Sequence, residues 1–313
     1  MVMFTSAATL IFEVSTAYPA QSAASGPAAA QAPGTSAGSK TALTPEVVSK
    51  AGRKFFGLMD SSGAMAEAQK KSDAEPKNVE LLQKLEQEQV KAWRYQEAVA
   101  TCTRAIAIAP NNAALYVERG HREVGLREFA KAIADFNHAE KLDASIGDIY
   151  YHRGLAHYFL GEFAAAGTDF QQSVKLAQAK GAAGSDGAIN STNWVYASLR
   201  RAGKKDEAAK ALLAIGPEVT TKDEHTQVYL NLVRFYQGRM KEADALAPEP
   251  PRGGDTFVEP ELKFDTSAYQ LGNWYQYTGN STKAHEYFAR VGKGGVWITW
   301  GFIGSEVELQ KTH

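Results

Sequence analysis

The side chains best suited to metal or acid–base chemistry are seven histidines and one cysteine, and their spacing does not assemble a reactive site. His152 and His157 are the closest pair, and a separation of five residues places them on different faces of a helix. No His-Glu-x-x-His motif occurs, so the zinc-protease pattern is absent. The single cysteine, Cys102, precludes an intramolecular disulfide and a cysteine-based zinc site. We therefore predict no bound metal and no cofactor.

Other catalytic patterns are equally incomplete. Gly292, Gly294 and Gly295 surround Lys293, but this run lacks the Walker spacing and the following Ser or Thr. No Gly-x-Ser-x-Gly motif is present. One alternative places an enzyme site on the acidic loop 247–262, although its carboxylates, Asp255, Glu259 and Glu261, are typical of a solvated surface cluster. The sequence therefore predicts a protein that is not an enzyme.

The charge balance argues against a nucleic-acid partner. The chain carries 34 lysines and arginines against 35 aspartates and glutamates, for a formal net charge of −1. Nucleic-acid-binding proteins usually carry a basic stripe that neutralises phosphates, and none is visible here. Hydrophobic residues make up 44% of the chain, which is enough for a packed core.

The first 44 residues differ in composition from the rest of the chain. An apolar run over 2–12 is followed by small residues, which predicts a secretory signal peptide cleaved near Ala20 and a secreted or periplasmic location. The run lacks basic residues before it and ends at Glu13, so a disordered tail on a cytoplasmic protein is the alternative. It is too short to span a membrane, so we predict no membrane span. The Ala-, Ser-, Gly- and Pro-rich residues that follow predict a flexible linker.

A helical extension is predicted over 45–78. Thr44 can cap a helix, Pro45 suits its first turn, and apolar residues from Val47 to Leu58 recur along one face of a helix over 45–60. We expect this amphipathic segment to pack on the following domain. Docking to a partner or to a membrane surface is the alternative.

A period of 34 residues is the strongest signal in the sequence. It predicts three helix-turn-helix units, at 79–112, 113–146 and 147–180, each of which must stack on its neighbours to bury its apolar face. Four series of residues share this step: Tyr95 with Phe129 and Phe163; Ala98 with Ala132 and Ala166; Gly120 with Gly154; Phe136 with Phe170.

This period and these residue types resemble the tetratricopeptide repeat (TPR). The resemblance implies an all-α fold, a right-handed superhelical solenoid of helix pairs. Within each pair, Gly120 or Gly154 lets the two helices approach closely. The low-complexity N-terminus and near-neutral charge make the chain similar to bacterial envelope TPR adaptor proteins.

The repeat weakens and then returns further along the chain. Degenerate TPR-like units are predicted over 181–246, a Pro- and Gly-rich loop over 247–264, and a last unit with a closing helix over 265–313. Trp297, Trp300 and Phe302 are expected to cover the last apolar face, since solenoids need a terminal cap. An aromatic partner pocket is the alternative.

The TPR resemblance implies that the first helix of each unit lines a concave groove. We predict a protein or peptide partner there, because amphipathic aromatic residues are enriched at binding hot spots. The alternatives are that the tyrosines pack between repeats, and that the protein is a self-associating structural element of the cell envelope, a homo-oligomer. The predicted binding residues are His121, Tyr151, His152, Leu155, Tyr158, Phe159, Tyr269, Asn273 and Tyr277.

Overall fold

The computed structural model describes residues 44–181, 184–251 and 258–312. The fold is an all-α solenoid of stacked helix pairs, which confirms the predicted fold class. The signal-peptide and linker predictions for 1–43 lie outside the described residues. The helices are α1 (Ala64–Ala74), α2 (Val79–Lys91), α3 (Tyr95–Ile108), α4 (Ala113–Gly125), α5 (Phe129–Leu142), α6 (Gly147–Leu160), α7 (Phe163–Lys180), α8 (Asp186–Arg201), α9 (Lys205–Leu212), α10 (Glu224–Tyr236), α11 (Glu242–Ala245), α12 (Val258–Thr278), α13 (Ser281–Val291) and α14 (Trp300–Leu309).

Close helix approach within a pair depends on glycine. A Cβ atom at Gly120 would lie 2.9 Å from the Phe136 ring, and one at Gly154 would lie 2.9 Å from the Phe170 ring. Both phenylalanines are fully buried. The same contact therefore recurs in α4/α5 and α6/α7, one repeat apart.

An arginine–aspartate pair also repeats with the 34-residue period. Arg119 of α4 binds Asp135 of α5 with N–O distances of 2.6 and 2.7 Å. Arg153 of α6 binds Asp169 of α7 at 2.9 and 2.8 Å. Two parallel hydrogen bonds fix both distance and orientation, so each pair ties the first helix of a unit to the second.

The segment before α1 corrects the sequence prediction. Residues 45–60 do not form a helix; Val47–Val48 (β1) and Lys54–Phe55 (β2) pair as an antiparallel hairpin. Val47 and Phe55 are buried whereas Val48 is exposed, which is the alternation of a strand rather than a helix period. Gly52 allows the turn because its φ is +79°, a conformation that other residues rarely adopt.

The later boundaries also differ from expectation in detail. Helix α12 begins at Val258, inside the loop predicted over 247–264, and Pro260 lies in its first turn, where a missing N–H is tolerated. Residues 252–257, including Asp255, are outside the described part of the chain. Within the ranges that the structure covers, none of the helices combines the length and apolar character needed to cross a bilayer.

The solenoid closes on itself. Helix α10 packs on α8 and α12, α12 touches α8, and α14 contacts α12, α13 and α6. At the junction of the two ends, Arg53 of the hairpin donates to the carbonyls of Gly292 and Gly294 at 2.6 and 2.7 Å. The Trp297 indole donates to the Phe56 carbonyl at 3.2 Å. Helices α4, α6, α8, α10 and α12 each have a surface that faces the other inner helices and α14. We call these surfaces together the inner face.

Candidate partner-binding surface

The predicted binding residues lie on α4, α6 and α12 of the inner face. Six of the nine are buried: His152, Leu155, Tyr158, Phe159, Tyr269 and Asn273. The remaining three, His121, Tyr151 and Tyr277, are half-buried. Other parts of the chain therefore cover most of these side chains. Whether any of them binds a partner stays a prediction.

Histidine and tryptophan rings form one contact between the early repeats and the closing helix. The rings of His121 and His152 stack at a centroid distance of 4.1 Å. Trp300 of α14 lies 5.2 Å from His121 and 5.9 Å from His152. Burial lowers the pKa of His152 to about 4 and holds that of His121 well below its usual range. Both imidazoles are therefore neutral at pH 7.

A polar contact joins two units that are far apart in sequence. The Tyr158 hydroxyl donates to Asn273 Oδ1 at 3.1 Å, linking α6 to α12. Arg201 of α8 donates to the same oxygen at 3.1 Å. Trp194 lies 5.3 Å from Tyr158 and 6.1 Å from Tyr269, filling the space between these helices. Tyr158 and Tyr269 therefore pack between repeats, which is the alternative to a binding role that the sequence left open.

Helix α14 is held on the inner face by two ion pairs. Glu306 pairs with Arg127 at 2.9 Å, and Glu308 pairs with Arg201 at 3.1 Å. All four side chains are largely buried. A Cβ atom at Gly304 would overlap the Tyr269 ring, so the helix fits closely against α12. Helix α14 therefore lies where the sequence predicts a closing helix, and it also covers helices of the earlier repeats.

The carboxylate of Glu261, one of the candidate catalytic residues, has a structural role. It accepts hydrogen bonds from the backbone N–H groups of Gly295 and Val296, the latter at 3.1 Å. These bonds fix the turn that leads into α14. Glu259, its neighbour in the acidic cluster, pairs with Lys263 at 3.0 Å. Over the described ranges, no group of three or more His, Cys, Asp or Glu side chains is arranged to hold a metal ion.

One inner-face feature was missed by the sequence analysis. Arg200, near the end of α8, lies among Tyr196, Tyr236 and Tyr277, which belong to three different helices. Of these residues, only Tyr277 is a binding residue predicted from the sequence. The spacing of Tyr196 and Arg200, four residues apart on a helix, indicates that they share a face. Nothing in the sequence shows that α10 and α12 bring further tyrosines to them.

One family model matches part of this architecture. Residues 147–180, which contain α6 and α7, match the family model described as the tetratricopeptide repeat. The chain therefore contains a tetratricopeptide repeat, and its fold is the helix-pair solenoid that such repeats build. No curated protein sequence matches the chain.

Several solved structures share similarity with the chain. A tetratricopeptide repeat protein from Parabacteroides merdae ATCC 43184 is 20% identical, with a TM-score of 0.47, over 74% of this chain and 84% of that chain. YrrB, described as a TPR protein with an unusual peptide-binding site, is 16% identical, with a TM-score of 0.43, over 73% and 92%. MamA protein is 23% identical, with a TM-score of 0.44, over 49% and 79%.

Proposed function

We propose that the protein is a non-enzymatic scaffold that binds a peptide or protein partner at the inner face. TPR arrays generally serve as interaction surfaces rather than catalysts, and the matched repeat supports that class. The observation that carries the proposal is the chemistry of the inner face between α8, α10 and α12. Aromatic and amide side chains cluster there, and several of their buried donors and acceptors have no partner within the described chain.

The geometry favours a partner at the C-terminal ends of α8, α10 and α12 rather than along the whole groove. Helix α14 occupies the inner face near α4 and α6 through Trp300, and its Phe302 and Ile303 side chains are buried. Burial of one such side chain contributes about 1.5–3 kcal/mol, so displacing α14 costs several times that amount. Arg200, Tyr236 and Tyr277 are only half-buried, so a partner reaches them without displacing the helix.

The test is affinity capture with the full chain, followed by reconstitution with the purified captured protein. Wild type is compared with Tyr277→Ala. The matched control is Tyr275→Ala, which removes a half-buried tyrosine two positions away that hydrogen-bonds to Glu242, outside the inner face. A partner retained by wild type and by the control, but lost from a folded Tyr277→Ala variant, supports the proposal. Equal retention by all three proteins contradicts it.

Self-association is a second candidate function, favoured by an apolar patch on the N-terminal segment. Val48 is 54% exposed and Met59 is 84% exposed, with Phe56 and Leu58 beside them at 39% and 37%. Light scattering across a hundredfold range of concentration tests this function. A mass that rises with concentration, and that Met59→Glu returns to the monomer value, supports it. A constant monomer mass rejects it.

A further inference from the structure

The C-terminal ends of three inner helices converge on one point. Arg200 lies in the last turn of α8, Tyr236 ends α10, and Tyr277 lies in the last turn of α12. All three residues are half-buried, so part of each reaches solvent, while the two tyrosine hydroxyls and the Arg200 Nε are themselves buried. Tyr196 and Asn193, one and two turns earlier on α8, are buried beneath it.

Aromatic rings fix the position of the Arg200 guanidinium group. Its Nη1 donates to the Tyr196 hydroxyl at 2.9 Å. Its central carbon lies 4.6 Å from the Tyr277 ring centroid and 5.7 Å from that of Tyr196. Tyr236 stacks on Tyr196 with a centroid distance of 4.4 Å. Contact with aromatic faces stabilises a cation and limits its rotation, so the donor fork is preorganised.

Arg200 has no carboxylate partner within the described chain, in contrast to three other arginines that lie on or next to the inner helices. Arg122 pairs with Glu86 at 2.6 Å, Arg127 with Glu306 at 2.9 Å, and Arg201, the next residue, with Glu308 at 3.1 Å. The Nε of Arg200 is buried and makes no hydrogen bond to another described residue. A guanidinium group offers five N–H donors, and leaving a desolvated one unpaired is unfavourable.

The neighbouring polar groups are incompletely hydrogen-bonded as well. Asn193 is 0% exposed, and neither its amide oxygen nor its amide nitrogen has a partner among the described residues. The hydroxyls of Tyr236 and Tyr277 are also buried, and neither makes a full hydrogen bond to a described residue. Burial raises the pKa of the Tyr236 hydroxyl, and weak hydrogen bonding to the Asn193 side chain and to the Tyr277 hydroxyl lowers it. These three groups therefore adjoin one another and satisfy one another only in part.

We propose that Arg200, Tyr236 and Tyr277, with Asn193 beneath them, form a binding site for a carboxylate carried by a peptide partner. A planar carboxylate accepts two parallel N–H bonds from a guanidinium fork, and the tyrosine hydroxyls and the amide supply further donors. The aromatic walls contact the apolar part of the ligand. Among these described residues, Arg200 supplies a single positive charge, which balances a singly charged carboxylate rather than a doubly charged phosphate. This inference rests on the proposed function of the inner face.

The test is an NMR titration that follows the Nε–H signal of Arg200 in the full chain. Three probes of similar size are used. N-acetylphenylalanine carries a terminal carboxylate, N-acetylglutamate α-amide carries a side-chain carboxylate, and N-acetylphenylalaninamide carries none. We expect at least one carboxylate to shift the signal with a Kd of about 1–10 mM, typical of a single anchoring group, and the neutral amide to cause no saturable shift. The more effective carboxylate identifies its source as a chain terminus or an acidic side chain.

Variants decide whether Arg200 is responsible. Carboxylate binding to them is measured by the change in the NMR signal of the probe. Arg200→Gln should abolish binding, and Arg200→Lys, which keeps the charge but not the fork, should weaken it by about tenfold. Arg239→Gln removes the same charge from an exposed arginine and should leave binding unchanged. Equal binding of the neutral amide, or unchanged binding by Arg200→Gln, overturns the proposal.

The two proposals can fail independently. Carboxylate binding at Arg200 without capture of any protein contradicts the scaffold function but still supports the carboxylate site. Capture of a partner that depends on Tyr277, with no shift of the Arg200 signal on adding a carboxylate, contradicts the carboxylate site but still supports the scaffold function. Should Arg200→Gln unfold, the Lys variant and the three probes still decide the question.

Discussion

At the scale of single residues, the repeat depends on glycines, which have no side chain, as much as on the large side chains that pack against them. Gly120 and Gly154 occupy equivalent positions, and each faces the ring of a fully buried phenylalanine. These contacts follow from residues in one repeat, so the sequence predicts them. The environment of a half-buried carboxylate such as Glu118 cannot be predicted in this way, because it depends on the neighbouring unit.

Gly120→Ala should destabilise the protein by about 1–3 kcal/mol, since the added Cβ overpacks the contact with Phe136. Gly167→Ala is the matched control. It also lies inside a helix, but the nearest atom to its Cβ would be 3.6 Å away, an ordinary contact. We expect the control to be neutral or up to about 1 kcal/mol more stable, because glycine weakens a helix. Chemical denaturation measures both. A Gly120→Ala variant as stable as wild type would refute the close-approach argument.

Glu118→Gln should stabilise the protein at pH 8 more than at pH 4.5. Burial, and then the nearby Glu86 charge, raise the pKa of Glu118 to about 7 in the folded state, above its unfolded value of 4.5. The folded state therefore holds this proton more tightly, and ionisation costs stability as pH rises from 4.5 through 7. Glutamine removes that cost and can still accept the hydrogen bond from Gln83. The Tm of both proteins across this range is the measurement, and an equal difference at pH 4.5 and pH 8 would contradict the assignment.

At the scale of elements, sequence reasoning succeeds where contacts are local. The helix pairs follow from a 34-residue period because each glycine–phenylalanine contact lies within one unit. The N-terminal hairpin was missed because a few apolar residues fit both a strand and a helix period. What decides between them is Phe55, whose ring packs on Trp297 at 6.1 Å and on Phe302 at 5.4 Å. Those partners lie more than 240 residues away.

Helix α14 is predicted to depend on the buried pair of Arg127 and Glu306. Arg127→Met leaves the Glu306 carboxylate without its partner and should cost about 3–5 kcal/mol. Removing both charges with Arg127→Met and Glu306→Leu should recover much of that loss, because no unpaired charge then remains. A double-mutant cycle by chemical denaturation measures the coupling. Strictly additive losses would show that the pair does not hold α14 in place.

At the scale of the whole molecule, closure of the solenoid buries most of the residues predicted to line the groove. Tyr158 meets Asn273 across 115 residues, and Arg53 meets Gly292 across 239. Such contacts arise from small rotations accumulated over successive helix pairs, which a single repeat does not reveal. The TPR resemblance therefore implies which helices face inward, but not that α14 covers them. It also leaves Arg200 unrecognised, because α10 and α12 supply its surroundings.

The most direct test of the scaffold account is hydrogen-exchange footprinting of the full chain with and without its captured partner. We predict slower amide exchange in the last turns of α8, α10 and α12, around Arg200, Tyr236 and Tyr277. Exchange in α14 should be unchanged, since the partner binds without displacing that helix. Protection confined to the outer helices α3, α5 and α7, or faster exchange in α14 on binding, would contradict the proposed location of the partner.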